Sequence, residues 1–98
     1  MAFVYILKSE SLEKFYVGSC INLLERLEEH QSKKYLGSFT TAASDWQLVF
    51  KMDNLDYSQA RNIEAHIKKM KSKVYIENLI KFPEMTQKLI VRFLEKHQ

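Results

Sequence analysis

Hydrophobic residues follow two patterns along the chain, short apolar runs and helical stripes, and the runs predict three strands. Residues 2–8 (AFVYILK) and 15–17 (FYV) are rich in β-branched and aromatic residues and flank a polar stretch, which predicts a hairpin. Gly18 is predicted to break the second strand. After a predicted loop over 35–45, the run WQLVFKM at 46–52 predicts a third strand.

Helices are predicted where apolar residues recur at helical spacing after a polar capping residue. Asn22 with Glu25, and Asp56 with Gln59, have the spacing of a capping box. Pro83 is predicted to separate the last two helices. The four predicted helices cover 22–33, 57–71, 73–81 and 85–96.

Two of these helices carry a clear apolar stripe that predicts which face is buried. In the first helix the glutamates Glu25, Glu28 and Glu29 are expected to face water. The residues expected to be buried are Leu23, Leu24 and Leu27 in the first helix and Ala60, Ile63, Ile67 and Met70 in the second. The last helix, with Leu89, Ile90, Phe93 and Leu94, is expected to cover either the domain's own sheet or a second subunit.

The predicted element order is β-β-α-β-α-α-α, and it favours one class of fold. Two strands come first as a hairpin, so a small mixed α/β layer fits better than a doubly wound sheet. We therefore predict an α+β fold with a small three-stranded antiparallel sheet flanked by helices. A length of 98 residues without internal repeats predicts a single domain.

Composition excludes several classes of protein. With 46% hydrophobic and 28% charged residues, the chain has the composition of a globular protein and not of a disordered one. Its longest apolar runs are too short for a membrane span, and residues 1–8 lack the features of a signal peptide. A single cysteine, Cys20, excludes an internal disulfide or a cysteine-based zinc site. We expect a cytoplasmic protein.

Positive charge is concentrated in the second half of the chain. The formal net charge is only +3, but ten of the 15 basic residues lie in 51–98. Lys68, Lys69, Lys71 and Lys73 fall within six positions and could neutralise phosphates of a nucleic acid. The alternative is a solvated helix end whose lysines complement the helix dipole. The cluster alone does not choose between the two.

Three polar residues lie at the border between predicted core and solvent. At 100° per residue, Arg26 and His30 fall on one flank of the leucine stripe, and Glu64 holds the equivalent place in the second long helix. A carboxylate at a buried edge needs a cation or a hydrogen-bond partner. Plain alternatives are a surface ion pair of Arg26 with Glu29, an i, i+4 pair of Glu64 with Lys68, and a satisfied boundary histidine.

Two tyrosines complete a set of residues with a shared chemistry. Tyr5 and Tyr16 lie on strands predicted to pair, so their side chains are expected to be near each other, although either could be an ordinary strand aromatic. The next helix would bring Arg26 and His30 over the same sheet edge. Tyrosine can take a proton, arginine can bind phosphate, and one carboxylate can hold Mg²⁺ together with waters. This inventory suits phosphodiester hydrolysis.

These residues resemble the motifs of the GIY-YIG nucleases, especially the small stand-alone bacterial members. Phe3-Val4-Tyr5 stands in the place of Gly-Ile-Tyr and Tyr16-Val17-Gly18 in the place of Tyr-Ile-Gly, with the tyrosines eleven residues apart. The segment QARNIEAHIKKMKSK resembles the one that carries the metal-binding glutamate, here Glu64. The resemblance covers about 3–80, with 81–98 as a C-terminal helix of the same domain.

The resemblance implies a metal-dependent endonuclease that hydrolyses DNA. We also expect that it acts on a structured substrate and has a role in DNA repair or recombination. Tyr5, helped by His30, would activate a water, while Tyr16 would orient the phosphate or the water. Arg26 would neutralise developing charge, and one Mg²⁺ or Mn²⁺ ion would bind Glu64. Gly18 would be a backbone position of the motif.

Further expectations concern the partners. The residues expected to contact nucleic acid are Lys34, Lys68, Lys69, Lys71 and Lys73, while Tyr35 and Asn78 are weaker candidates for the site. DNA is the expected partner, RNA is an open alternative, and no membrane is expected. The protein is expected to be a monomer or a weak homodimer. The rival hypothesis is a non-catalytic nucleic-acid-binding module with the same fold.

Overall fold

A three-stranded sheet and four helices make up the structure, which is a computed structural model. Residues 1–31, 43 and 45–94 are described. In chain order the elements are β1 (Ala2–Ser9), β2 (Lys14–Cys20), α1 (Leu23–Gln31), β3 (Trp46–Leu55), α2 (Tyr57–Met70), α3 (Lys73–Lys81) and α4 (Pro83–Arg92). The predicted element order and the α+β class are confirmed.

Strand β1 lies in the centre of the sheet and pairs antiparallel with both neighbours, in the order β2-β1-β3. Successive side chains of a strand point to opposite faces, so Val4 and Ile6 face one way while Tyr5 and Leu7 face the other. All four are buried, because helices or neighbouring segments cover both faces of the sheet. This explains why β1 is a continuous apolar run and not an alternating one.

The two faces of the sheet carry different cores. One core joins Val4, Ile6 and Val17 of the sheet to Ile63 and Ile67 of α2, and it also includes buried leucines of α3 and α4. The other core, on the opposite face, contains Tyr5, Leu7, Cys20, Ala43 and Trp46, with Leu23 and Leu27 of α1 packed against it. Helices α1 and α2 are therefore on opposite sides of the sheet.

Polar side chains begin the helices as the capping pattern predicts. Asn22 Oδ1 accepts a hydrogen bond of 3.0 Å from the Glu25 backbone N–H, which satisfies a donor in the first turn of α1. A capping box starts α2, where the Asp56 backbone N–H donates to Gln59 Oε1 at 3.2 Å. Lys71, in the left-handed conformation with φ 49°, follows the last residue of α2.

Several predicted boundaries differ from the observed ones. Gly18 does not break β2 but lies inside it, and β3 continues to Leu55, beyond the predicted end at residue 52. Helix α4 starts at Pro83, because a proline at the first helical position loses no intrahelical hydrogen bond. The same helix ends at Arg92 and not at residue 96. Most of the predicted loop lies outside the described residues.

The predicted buried stripes were wrong at two positions. Leu24 of α1 is 70% exposed, since Leu23 and Leu27 share one helix face and Leu24 is turned about 100° away from it. Met70 is also exposed, in the last turn of α2. Each of these helices thus buries a narrower stripe than the sequence predicts.

The last helix packs on the domain's own core. Leu89 is buried there, and Ile90 and Phe93 pack against the same cluster, whereas Leu94 is exposed. The Gln59 side chain, itself buried, donates from Nε2 to the Ile90 carbonyl oxygen at 2.9 Å and so ties α2 to α4. Among the described helices, none has the length and apolarity needed to cross a membrane.

The two contacts of Gln59 predict a large effect of its removal. Gln59→Ala should lower the free energy of unfolding by about 1–2 kcal/mol, because it opens the capping box and removes the side-chain donor from the partly buried Ile90 carbonyl. Urea unfolding followed by circular dichroism measures the change. The control is Gln87→Ala, an exposed helical glutamine. Equal unfolding midpoints for the two variants would contradict the prediction.

Candidate active site

Tyr5 is at the centre of the site. Its side chain extends from β1 on the α1 face of the sheet, and the residue is 0% exposed. The Tyr5 hydroxyl oxygen and His30 Nε2 are 3.0 Å apart and form a hydrogen bond. His30 belongs to the last turn of α1 and is 1% exposed, so it lies deeper than the border position that its helical spacing predicts. The polar ends of both residues are thus satisfied within the protein.

The ring of Tyr16 joins this pair from the edge strand β2. Its centroid is 6.3 Å from that of Tyr5 and 5.1 Å from that of His30, the latter in an edge-to-face arrangement. Aromatic rings prefer such tilted contacts over direct stacking. Unlike Tyr5, Tyr16 is only half-buried. The structure therefore brings the two tyrosines and His30 together, as the sequence predicts, with Tyr16 on the solvent side.

Gly18 leaves room for the Tyr5 ring. The two residues are directly paired across β1 and β2. A Cβ atom at position 18 would be 2.5 Å from the Tyr5 hydroxyl oxygen and 2.6 Å from the ring carbon that bears it. Such distances are far below van der Waals contact, so any larger residue would displace the phenol. Gly18 therefore provides space for the Tyr5 ring and does not end the strand as the sequence predicts.

Arg26 adds positive charge beside the rings. Its side chain is 28% exposed on α1, and its Nε is 3.1 Å from Glu29 Oε1, the ion pair that the sequence leaves open as an alternative. The pKa of Tyr5 is raised chiefly by burial and further by Tyr16, while a hydrogen bond from Arg26 opposes the rise. Burial, and next the charge of Arg26, lowers the pKa of His30. Both groups are therefore neutral near pH 7.

Glu64 approaches the same edge strand from the other side of the sheet. Its side chain is 17% exposed on α2, and Oε1 accepts a hydrogen bond from the hydroxyl of Ser19 in β2. Lys68 Nζ is 2.6 Å from Glu64 Oε2, again the pair left open by the sequence. The same ammonium lies 5.6 Å from the centroid of the Tyr16 ring. Lys68 thus links the carboxylate to the tyrosine cluster around the edge of the sheet.

A polar cavity of about 330 Å³ lies where these elements meet. Ser19 and Arg26 both line it, together with Asn22 and Glu25 at the start of α1 and Tyr57 at the start of α2. Glu64 is one hydrogen bond away from this cavity through Ser19. Guanidinium, hydroxyl, amide and carboxylate groups therefore line one polar space beside the edge strand.

Ser19 is a contact of the site that the sequence analysis missed. It follows Gly18 directly, and strand alternation places it on the α2 face while Gly18 and Tyr16 belong to the α1 face. The alternation was readable in the sequence, but its partner on α2 was not. Asn78 lies in α3, where its carbonyl oxygen accepts from the Phe82 N–H at 2.8 Å. Lys34 and Tyr35 lie outside the described residues.

The predicted lysine cluster divides between the two flanks of α2. Lys68 is on the Glu64 side. Lys69 is on the side of His66, whose pKa is lowered chiefly by burial, then by the charge of Arg92 and last by that of Lys69. Lys73 Nζ donates to the Glu13 carbonyl oxygen at 2.8 Å, next to the start of β2. Lys69 is therefore separated from the other three lysines, which line one groove.

The oxygen ligands around Glu64 suit a hydrated divalent cation. No group of three or more His, Cys, Asp or Glu side chains is close enough to bind a metal within the part of the chain that the structure describes. Mg²⁺, however, usually keeps several waters and needs one or two carboxylates plus substrate phosphate oxygens. Glu64 and the Ser19 hydroxyl can supply such oxygens. The Lys68 ammonium at Oε2 marks a place where a cation is already favourable.

The architecture and the site together define a small α+β domain in which two tyrosines, a histidine, an arginine and a glutamate meet around the edge strand of the sheet, next to a polar cavity that Arg26 lines. The family profile of the GIY-YIG catalytic domain matches residues 1–78 of the chain. The protein belongs to this family, and the match implies a nuclease of the GIY-YIG type whose substrate is a nucleic acid. Members generally use divalent metal ions. Searches of curated proteins and of solved structures gave no significant match.

Substitution of Gly18 tests the close approach of the Tyr5 ring. Gly18→Ala should lower the free energy of unfolding by about 1–3 kcal/mol through overpacking, although alanine in a strand is normally better than glycine. Urea unfolding measures the loss in the wild-type chain and in a Tyr5→Leu background, where the ring is absent. The cost should largely disappear in that background. An equal cost in both backgrounds would show that Tyr5 is not the cause.

The buried His30 predicts a pH dependence of stability. Its pKa in the folded protein is below the value of about 6.5 expected for the unfolded chain, so the unfolded state takes up a proton first as the pH falls. The contribution of neutral, buried His30 to the free energy of unfolding is fully present above pH ~6.5 and decreases below it. Urea unfolding should be compared between pH ~7.5 and ~5.5, above the range in which most carboxylates titrate.

A second histidine with a lowered pKa, the partly buried His66, must be separated from this effect. Burial also lowers the pKa of His66, so the comparison should be made in a His66→Gln background. In that background, adding His30→Gln should flatten the dependence of stability on pH. A slope that does not change when His30 is replaced would contradict the prediction.

Proposed function

We propose that the protein is a metal-dependent endonuclease that hydrolyses phosphodiester bonds in DNA, at structured or damaged sites such as those met in repair or recombination. The observation that carries this proposal is the meeting of two half-sites at one sheet edge. The tyrosine cluster and Arg26 come from the α1 face, and Glu64 comes from the α2 face. Lys68 connects the two.

Tyr16 is the phenol best placed to meet the substrate. The sequence predicts that Tyr5 activates the attacking water. In the structure, however, Tyr5 is fully buried, and its raised pKa makes it a weak source of phenolate. Tyr16 is half-exposed at the edge of the sheet, and we assign to it the contact with the attacking water or with the phosphate. Tyr5 and His30 then hold the Tyr16 ring in place and provide a neutral proton acceptor behind it.

Arg26 binds the phosphate in this scheme. It lines the polar cavity and keeps part of its surface exposed, so its N–H groups can pair with non-bridging oxygens. Since the guanidinium is paired with Glu29 in the structure, phosphate takes the place of one carboxylate contact. Donors aimed at charge that develops in the transition state commonly contribute about 3–4 kcal/mol each.

Glu64, with Ser19 beside it, would hold a Mg²⁺ or Mn²⁺ ion. When bound, the ion supplies Lewis-acid stabilisation of the leaving oxygen. Ser19 orients the carboxylate by donating to Oε1, and this contact leaves the Oε2 side to a cation. Lys68 has a long flexible side chain, so it would be able to leave Glu64 to a divalent ion. Its ammonium would then be available to a phosphate of the substrate.

A cleavage assay on a mixed panel tests this function. The panel comprises plasmid, duplex, flap, fork and single-stranded DNA together with RNA, each with Mg²⁺, with Mn²⁺ and with EDTA. Glu64→Gln should reduce cleavage to the level seen with EDTA, because the uncharged amide binds a divalent ion poorly. Arg26→Ala should reduce it about 10²–10³-fold. Glu77→Gln, an exposed glutamate of α3, is the matched control.

Binding measured in EDTA separates the enzyme from the rival binding module. Glu64→Gln should retain the affinity of the wild-type protein for nucleic acid, since removing a negative charge does not weaken phosphate contacts. If folded wild-type protein bound nucleic acid but cut no member of the panel with either metal, the binding-module hypothesis would replace the nuclease. Preferential cutting of RNA would overturn the assignment of DNA.

A further inference from the structure

A groove with an apolar floor and a basic rim lies next to the active site, and apart from Lys68 its lining residues have no role in the chemistry described above. It runs between the start of β2, the end of α2 and the start of α3, and its volume is about 390 Å³. Phe15 and Ile76 belong to its floor, and Lys14, Lys68, Lys71 and Lys73 surround it. We call this feature the lysine groove.

The lysine groove carries positive charge with no acidic residue among the described residues that line it. Lys14, Lys71 and Lys73 are exposed. The Lys73 ammonium donates to a backbone carbonyl, that of Glu13, so its position is held while its charge is not cancelled by a carboxylate. Lys8 lies outside the lining, 5.6 Å from the centroid of the Phe15 ring, and is paired with Glu10 at 3.6 Å. The groove therefore complements an anionic ligand.

The apolar floor tells which anionic ligand fits. A duplex presents its phosphates outward and keeps its bases stacked, so a basic surface without an apolar floor would serve it. An unpaired nucleotide has both parts, a flat base for the aromatic and aliphatic floor and a phosphate for the lysines. Proteins that bind single strands combine a basic groove with aromatic side chains in this way. The volume of the groove suits a ligand of about one nucleotide.

The position of the groove links it to the cleaved bond. Lys68 lines the lysine groove, and the same ammonium is 2.6 Å from Glu64 and lies over the Tyr16 ring. A strand whose phosphate lies between Glu64 and Arg26 can therefore continue along β2 into the groove. A neighbouring nucleotide then has its base on the floor and its phosphate near Lys14 and Lys71.

We propose that the lysine groove binds an unpaired nucleotide adjacent to the cleaved phosphate, so that the substrate contains a single-stranded segment. This proposal rests on the proposed function and deepens it by naming the substrate class. The recognition needs no particular base, because every base offers a flat face to the floor. The proposal explains why basic residues surround a floor whose apolar side chains are only partly buried.

Equilibrium binding in EDTA tests the proposal without any cleavage. The probes are fluorescein-labelled single strands of about 12 nucleotides, oligo(dT) and oligo(rU), an abasic strand of equal length, and a duplex of equal length. Oligo(dT) or oligo(rU) should bind at least about tenfold more tightly than the duplex and the abasic strand, since stacking on an aromatic side chain contributes at this level. The two sugar types show whether the groove takes DNA, RNA or both.

Matched substitutions locate the binding. Lys14→Gln with Lys71→Gln should weaken binding of single strands about tenfold or more and make the salt dependence shallower by about 1.4, which is 0.7 for each phosphate that the variant no longer neutralises. Lys81→Gln with Lys88→Gln removes the same charge from α3 and α4 and should have little effect. Phe15→Leu should weaken binding of oligo(dT) and leave the abasic strand unchanged.

Two results would overturn the proposal. One is equal affinity of the wild-type protein for the base-containing single strands, the abasic strand and the duplex, which requires no variant and so does not depend on Phe15→Leu being folded. The other is an equal loss for the groove double variant and its control. Because neither measurement needs a metal or a cut, failure of the nuclease would leave this test intact. Failure of this test would leave the cleavage result unchanged.

Discussion

The close approach of the Tyr5 phenol to the Gly18 backbone is the constraint on which the site depends. It exists because β1 and β2 pair these two residues directly, and because position 18 has no Cβ atom. The phenol can then lie flat across the edge strand and reach His30 on α1. This contact fixes the position of α1 over the sheet, and with it the position of Arg26. A packing requirement thus determines where charged groups meet the solvent.

A site built around a sheet edge has a property that a site on one face lacks. The groups from the α1 face and the carboxylate from the α2 face are separated by a strand, so each half of the site has its own ion pair. Lys68 neutralises Glu64 and Glu29 neutralises Arg26 in the structure. In the proposed mechanism, a cation at Glu64 and a phosphate at Arg26 would each displace an internal partner. Binding of the cation would then favour binding of the phosphate, since Lys68 released from Glu64 would become available to it.

The sequence predicted the order of the elements and the members of the site, but not how they fit together. Apolar periodicity suffices to place strands and helices, since it records only which residues avoid water. Gly18 was taken for a strand break because its partner ring becomes visible only once the strand register is known. The contact of Ser19 with Glu64 likewise depends on which elements lie side by side, which the sequence does not show. Leu24 was expected in the core because residue spacing does not reveal which flank of a helix faces the sheet. The lysines of α2 are close in sequence but divide between two flanks for geometric reasons.

The family signature and the folding unit of this protein have different lengths. The match to the GIY-YIG catalytic domain ends at residue 78, one residue before Leu79, which is completely buried in the main core. Leu89 belongs to the same core, and the Ile90 carbonyl oxygen accepts a hydrogen bond from the Gln59 side chain. A polypeptide cut at the boundary of similarity would keep every proposed catalytic group and lose part of the interior that holds Glu64's helix on the sheet. The residues proposed for catalysis and the residues that form the core thus occupy overlapping stretches of the chain, and the core extends further toward the C-terminus.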